Sequence, residues 1–368
     1  MSDSHFDTDD FRIPVTVLTG FLGSGKTTLL NHWVKQPEMA NCAVLINEFG
    51  AVGLDHHLVE KLDDNVVMLE SGCVCCTVQG DLVNALRDLF MRAMRREIKP
   101  FQRVLIETTG LADPGPVLFT LRNDPFFAQR YRFDGTVTVV DVCHIEQQLT
   151  QQYEAVKQVA LADLLILSKS DLADFGALPT IEALLQRINP MAPRHVAIKG
   201  QLSPAVLAQN GPFGSGPQRS TQAIRQWLQG AIAELGLASP IKPAVKSTSP
   251  LIANMPLGSA HSDVAAFCLR YTKSMPTARF LDGLRMMQMR YPERLLRFKA
   301  ILWLEEQEQP VVVHGVHDQL YPIMNLPTWP TGEPVSELVF IMKQTDQQEV
   351  EEMLQEAFFP RYPRFQYE

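Results

Sequence analysis

GFLGSGKT occupies residues 20–27, directly behind the apolar run IPVTVLT at 13–19, and the lysine is followed by TTLLNHWVK at 27–35. A short β-branched run ending in glycine reads as a buried strand, and the stretch after the lysine reads as a helix. In that setting the spacing G-x-x-x-x-G-K-[ST] has a physical meaning. Gly20, Gly23 and Gly25 let backbone N–H groups turn inward around phosphate oxygens. Lys26 is placed to reach the β- and γ-phosphates, and the Thr27 hydroxyl to hold Mg²⁺. The helix N-terminus points at the anion. The bland alternative is a glycine-rich turn with no ligand, and the strand and helix on either side argue against it.

Outward from this loop, short apolar runs alternate with helical stretches. The runs are CAVLI (42–46), residues 66–69, QRVLIE (102–107), GTVTVVD (135–141), DLLILSKSD (163–171) and a last one near 195–198. Helices are expected over 80–96, near 115–123 and near 144–160. Leu82, Leu86, Leu89 and Phe90 share one face of the first. Several runs are continuously apolar rather than alternating, which points to a mostly parallel sheet with helices on both faces. The fold class is α/β, a P-loop nucleotide-binding domain over residues 12–200. Residues 201–260 read as a helix (STQAIRQWLQGAIAEL) and a Pro/Ser-rich linker. Residues 261–360 read β-α-β-β-β-α, a small α+β domain of ferredoxin-like, split βαβ type with one extra or rearranged strand.

The chain has 368 residues and a formal net charge of −8. An acidic surface disfavours phosphate backbones, so no nucleic-acid partner is expected. No apolar run suits a membrane span, and MSDSHFDTDDF lacks the features of a secretory signal. Of the 6 cysteines, three lie within residues 73–76. That is no disulfide framework, and a reducing cytoplasmic setting is expected.

Two further segments complete a nucleotide site. Glu107 ends the strand of QRVLIETTG, where a carboxylate can hold Mg²⁺ directly or through water, and Gly110 can offer its N–H to a γ-phosphate. SKSD (168–171) resembles the N-K-x-D element that reads guanine. Asp171 would accept from guanine N1 and N2, which adenine cannot match, and the stem of Lys169 would cover the purine. GTP is therefore expected over ATP. Ser168 stands where asparagine is usual, which weakens one contribution. Asp113 and Asp141 are less specific and read equally as caps or turn residues.

ESGCVCCT (70–77) brings Cys73, Cys75 and Cys76 to C-x-C-C spacing. Three thiolates make a soft site suited to Zn²⁺ or Cu(I). No distant C-x-x-C pair completes it, which suggests an open site fit for passing metal on. A redox pair and simple packing are the competing readings. Glu48, His56 and His57 are candidate additional ligands. His314 and His317 are an odd number apart, so one strand would face them oppositely. His144 reads as structural, and MMQM at 286–289 as helix packing.

GFLGSGKTTLL, INEFG with VGLD, GCVCC, ETTGLADPGPV and SKSD in this order resemble the CobW-like metal-related GTPases. Those belong with the nickel-insertion GTPases of hydrogenase and urease maturation. LLRFKAILWL, VVVHGVHDQLY and ELVFIM are similar to the C-terminal domain of the same family. The resemblance implies slow GTP hydrolysis with Mg²⁺ and binding of zinc or related metals. It places the phosphate loop at Gly20 to Thr28, with Ser24 inside it. It places the first switch at Asn47 to Gly50, metal thiolates at Cys73, Cys75 and Cys76, and the second switch at Glu107 to Gly110. Ala51 stands where the family often has an acid, which leaves Asp55 and His56 as substitutes. The function implied is a GTP-hydrolysing chaperone that transfers zinc to a client metalloprotein. A nucleotide-dependent homodimer is a candidate assembly. A metal-sensing regulatory GTPase and a cobalt-delivery GTPase for cobalamin biosynthesis are the alternatives.

Overall fold

The computed structural model describes residues 11–47, 67–71, 78–209, 264–317, 319–320, 323–326, 328–329 and 332–360. The chain divides into two compact units, one carrying a seven-stranded sheet and the other a six-stranded sheet.

The larger sheet contains β1 (Ile13–Thr19), β2 (Cys42–Asn47), β3 (Val67–Ser71), β4 (Arg103–Glu107), β5 (Tyr131–Asp141), β6 (Leu164–Ser168) and β7 (Arg194–Ala197). Their order is β3-β2-β4-β1-β5-β6-β7, and every pairing is parallel. Crossing helices bury both faces, which is why β6 is apolar and buried along most of its length. Register brings the carboxyl ends level: Leu18 pairs with Glu107, Asp141 with Ser168, and Ser168 with Ala197. β1 lies between β4 and β5, so the connections diverge there and leave a crevice at the strand ends. Behind it α1 (Lys26–Trp33) packs Leu29, Leu30 and Trp33 against Leu18, Val139 and Ile166.

Around this sheet run α2 (Val78–Met94), α3 (Pro114–Asn123), α4 (Pro125–Arg130), α5 (Ile145–Gln151), α6 (Tyr153–Leu161) and α7 (Ala177–Ile188). The single helix expected near 144–160 is two, because Gln152 takes an extended conformation (φ −125°, ψ 112°). α4 is an addition: Asp124 caps it by accepting from Phe127 N at 3.0 Å, and β5 then starts at Tyr131. α7 was also not anticipated, although Ile181, Leu185 and Ile188 bury one face at helical spacing.

The second unit contains β8 (Val264–Tyr271), α8 (Thr277–Arg290), β9 (Leu295–Leu302), β10 (Val311–Val316), β11 (Gln319–Leu320), β12 (Met324–Asn325), β13 (Ser336–Lys343) and α9 (Gln347–Phe358). The sheet order is β11-β10-β9-β13-β8 with antiparallel pairings, and β12 also pairs with β10. β8 and β9 run the same way with β13 between them, which is a split βαβ. The rearranged strand is the last one: β13 takes the central place, while β10 stays outside β9. One face packs Phe267, Phe298, Leu338 and Phe340 against Leu284 of α8 and Leu354 of α9. The alternate face buries Arg297, Lys299 and His314. His317 lies past the end of β10 with φ 51°. Of the three methionines at 286–289, only Met287 is core; Met286 and Met289 are 40% and 75% exposed. Among the described residues no helix is long and apolar enough to cross a membrane.

Candidate nucleotide site

At the end of β1 the chain turns under β5. A Cβ on Gly20 would stand 2.2 Å from Val139 O, so only glycine fits this approach. Gly25 ends the loop in the left-handed region (φ 97°) as the N-cap of α1. Lys26 is buried, and its Nζ donates to Gly20 O at 3.0 Å and Phe21 O at 3.3 Å. The ammonium is thus folded onto the carbonyls of the loop it follows.

The next residue reaches across the sheet. Thr27 Oγ1 donates to Glu107 Oε1 at 2.7 Å, although the two are 80 residues apart. Parallel pairing of β1 and β4 makes this meeting possible. It is reinforced at the next residue, where Thr108 N donates to Leu18 O and Thr108 Oγ1 to Thr19 Oγ1, both at 2.9 Å. A hydroxyl and a carboxylate beside a phosphate-type loop are hard oxygen donors that fit Mg²⁺. Gly110 follows on the same segment. A Cβ there would stand 2.6 Å from both N and Cα of Leu22, so the ETTG segment lies directly on the phosphate loop. Asp113 accepts from Gly115 N at 2.9 Å at the start of α3 and also pairs with Lys157 of α6.

The base-motif residues start at the last residue of β6, Ser168, and run past its end. Ser168 Oγ is 2.6 Å from Ser24 O and 3.1 Å from Val140 O, so its one proton bridges the phosphate loop and β5. The serine that replaces asparagine therefore still ties this motif to the loop. Lys169 occupies the left-handed region (φ 58°), an uncommon state for a side chain with a Cβ. Its Nζ donates to Asp141 Oδ2 at 2.8 Å. Asp141 also meets His144 Nδ1 at 3.0 Å and accepts from Cys143 N at 3.0 Å. Burial alone would raise the Asp141 pKa, but the hydrogen bonds from Lys169 and His144 outweigh it and hold the carboxyl below its ordinary range. Asp141 was read from sequence as a less specific residue. Here it is the anchor of Lys169. Asp171 is exposed on the turn that follows. A cavity of about 380 Å³ beside the loop is lined by Phe21, Leu22, Asp141, His144, Gln148 and Lys169.

The turn after β7 went unread in the sequence. Lys199 (φ 52°) and Gly200 (φ 76°) close it, with Ile198 bridged to Gln201. A Cβ on Gly200 would stand 2.9 Å from Thr28 O, so the turn sits on the first turn of α1. The Lys-Gly pair behind a strand was the available signal.

Glu48, Ala51, Asp55, His56, His57, Cys73, Cys75 and Cys76 lie outside the described residues. Among the described residues no group of three or more His, Cys, Asp or Glu could hold a metal ion. Cys42 and Cys268 are buried, and burial pushes both thiols up to about 12.

The family model described as CobW/HypB/UreG, nucleotide-binding domain, matches residues 14–196. That of the Cobalamin synthesis protein cobW C-terminal domain matches residues 264–358. The zinc chaperone YjiA of Escherichia coli (strain K12) is 30% identical over 338 residues, covering 92% of this chain and 96% of that protein. The zinc chaperone CobW of Pseudomonas aeruginosa is 34% identical over 228 residues, 53% of this chain and 59% of that one. Zinc-regulated GTPase metalloprotein activator 1 of Schizosaccharomyces pombe is 37% identical over 187 residues, and the match spans 44% of its length. The crystal structure of Zn(II)-bound YjiA GTPase from E. coli superposes with a TM-score of 0.67 at 27% identity, covering 93% of this chain and 98% of that one.

Proposed function

The chain belongs to the CobW/HypB/UreG family of P-loop GTPases, and from that premise we propose that it is a GTP-hydrolysing zinc chaperone. The observation that carries the GTPase half is the 2.7 Å meeting of Thr27 and Glu107 beside the phosphate loop. When GTP binds, Lys26 exchanges the Gly20 and Phe21 carbonyls for β- and γ-phosphate oxygens, a charge-assisted bond replacing two to neutral acceptors. The hydroxyl of Thr27 and the carboxylate of Glu107 would hold Mg²⁺, which would supply neutralisation of the phosphate charge. Gly110 donates its N–H to the γ-phosphate. Asp171 reads guanine, and Lys169, steadied by Asp141, covers the purine. Among the described residues no side chain is placed as a general base, which fits slow intrinsic turnover.

Cys73, Cys75 and Cys76 hold zinc as cargo, with Glu48 as a candidate further ligand. Support for zinc comes from similarity to the named zinc chaperones. The thiolates lie in sequence between the two switch segments, so engagement of those segments with GTP tightens the metal site, and hydrolysis loosens it toward a client metalloprotein. Coupling of this kind works in both directions. The setting is the cytoplasm, and a nucleotide-dependent homodimer is the candidate assembly.

The test is a competition measurement of Zn²⁺ affinity with Mg²⁺ and either a GTP analogue or GDP. A Cys73/Cys75/Cys76 triple-alanine variant is the control. Affinity at least about tenfold tighter with the analogue, and lost in the variant, is the expected result. Equal affinity with both nucleotides leaves a GTPase with a structural or sensory metal site and removes the transfer mechanism.

A further inference from the structure

α6 carries a contact that none of the site motifs contains. Gln158 is 1% exposed, and its Nε2 donates to two backbone carbonyls of the ETTGLAD segment, Gly110 O at 3.2 Å and Ala112 O at 3.0 Å. Both neighbours are acceptors, so the two N–H groups of the carboxamide must face them. Its Oε1 has no donor among the described residues, so those two carbonyls alone set its orientation. The residue before it adds a second tie, Lys157 Nζ to Asp113 Oδ2 at 2.6 Å.

These ties fall on one compact turn, in which Ala112 N donates to Thr109 O at 3.1 Å. On its other side the turn meets the phosphate loop at the close approach of Gly110 to Leu22. The turn is therefore fastened between Leu22 and α6. α6 is itself fixed, because Thr138 Oγ1 of β5 donates to Gln158 O at 2.8 Å. The chain then leaves α6 directly into β6 and the base motif.

We infer that Gln158 is a positioning residue for the second switch, holding the 109–112 turn on the phosphate loop so that Gly110 meets a γ-phosphate without prior ordering, with Lys157 and Asp113 as a weaker second fastening. The inference rests on the GTPase reading above. A turn already held by buried hydrogen bonds loses little freedom when ligand arrives, and that advantage appears as affinity. GDP has no γ-phosphate and gains nothing from it. Gln158 thus acts on the difference between the two nucleotides and not on the binding common to both.

The experiment uses the full chain. Gln158→Met keeps length and volume and removes both N–H donors. Dissociation constants for GDP and for a non-hydrolysable GTP analogue are measured with Mg²⁺, along with amide exchange over 108–113. Expected are analogue binding weakened about tenfold, the size two neutral hydrogen bonds supply, GDP binding within about twofold, and faster exchange across the turn. Lys157→Met, at a more exposed position, shifts the same ratio by about threefold and decides the matter if Gln158→Met does not fold. Equal losses for both nucleotides, no loss, or a tighter analogue overturn the inference. Wild-type protein that binds neither nucleotide overturns the GTPase reading itself, and this inference with it.

Discussion

The two sheets place their buried polar side chains differently. In the seven-stranded sheet three stand at the carboxyl ends, where Glu107 ends β4, Asp141 ends β5 and Ser168 ends β6, while Asp134, inside β5, is held by Arg103 and Arg132. Each of the three bonds to a neighbour across the strand ends, Thr27, Lys169 and the Ser24 carbonyl respectively. In the six-stranded sheet they stand within the strands. Arg297 and Lys299 lie inside β9, His314 inside β10 and Glu337 near the start of β13. Arg270 Nε lies 3.0 Å from Glu337 Oε1 as an ion pair. A polar group at a strand end can exchange its protein partner for a ligand, because the loop beside it can move. One held within a strand is surrounded by ladder backbone and serves the fold. The first arrangement is the candidate site, and the second is a buried charged face.

The largest effect that sharpens this contrast is at Lys26. Lys26→Ala is expected to lower GTP turnover by about 10²–10³-fold, the range for losing one preorganised donor to developing charge. Steady-state phosphate release checks this, and thermal unfolding of the second unit should not move. An intermediate effect is expected at Glu337. Glu337→Gln removes a buried charge that the Arg270 ion pair only partly offsets, while its amide oxygen still accepts from Arg270, and should leave the second unit as stable or more stable by about 1 kcal/mol, with GTP turnover unchanged. Denaturant unfolding and kinetics on the same sample check it. A drop in turnover there would break the distinction between site and face.

The smallest effect is in pH, and the two carboxyls respond with opposite sign. The folded pKa of Asp141 is depressed below its ordinary value of 3.8. Its contribution is present above 3.8 and is lost as pH falls through the folded value. Burial raises the folded pKa of Glu337 above 4.5, and the Arg270 ion pair only partly offsets this. Its contribution is present below 4.5 and is lost as pH rises through the folded value. Amide exchange followed through acid should show residues 168–170 losing protection while 336–343 gain it. Asp141→Asn flattens the first trend and Glu337→Gln the second. Parallel behaviour of the two segments would remove the contrast.

Much of this was legible beforehand where the physics is local. The phosphate loop is recognised from glycine spacing because backbone torsion is a property of the residue itself. The parallel strands are recognised from unbroken apolar runs because both sheet faces are covered. Less legible were features set by pairing partners. The break at Gln152, the capping of α4 by Asp124 and the helix over 177–188 were absent from the sequence reading, although the last two carried signals. Ser168 looked like a weakened asparagine until its hydroxyl was seen on Ser24 O, 144 residues away. The central place of β13 had no local mark at all.

The sequence by itself determined the P-loop fold class, the candidate phosphate, magnesium and guanine residues, and the family. All of these follow from residue type, spacing and order along the chain. Only the tertiary structure decided that Thr27 meets Glu107, that Asp141 meets Lys169, and that Gln158 bonds to the carbonyls of Gly110 and Ala112. Those meetings depend on elements far apart in sequence, and a one-residue shift in the register of β4 or β5 would turn Glu107 or Asp141 to the opposite face.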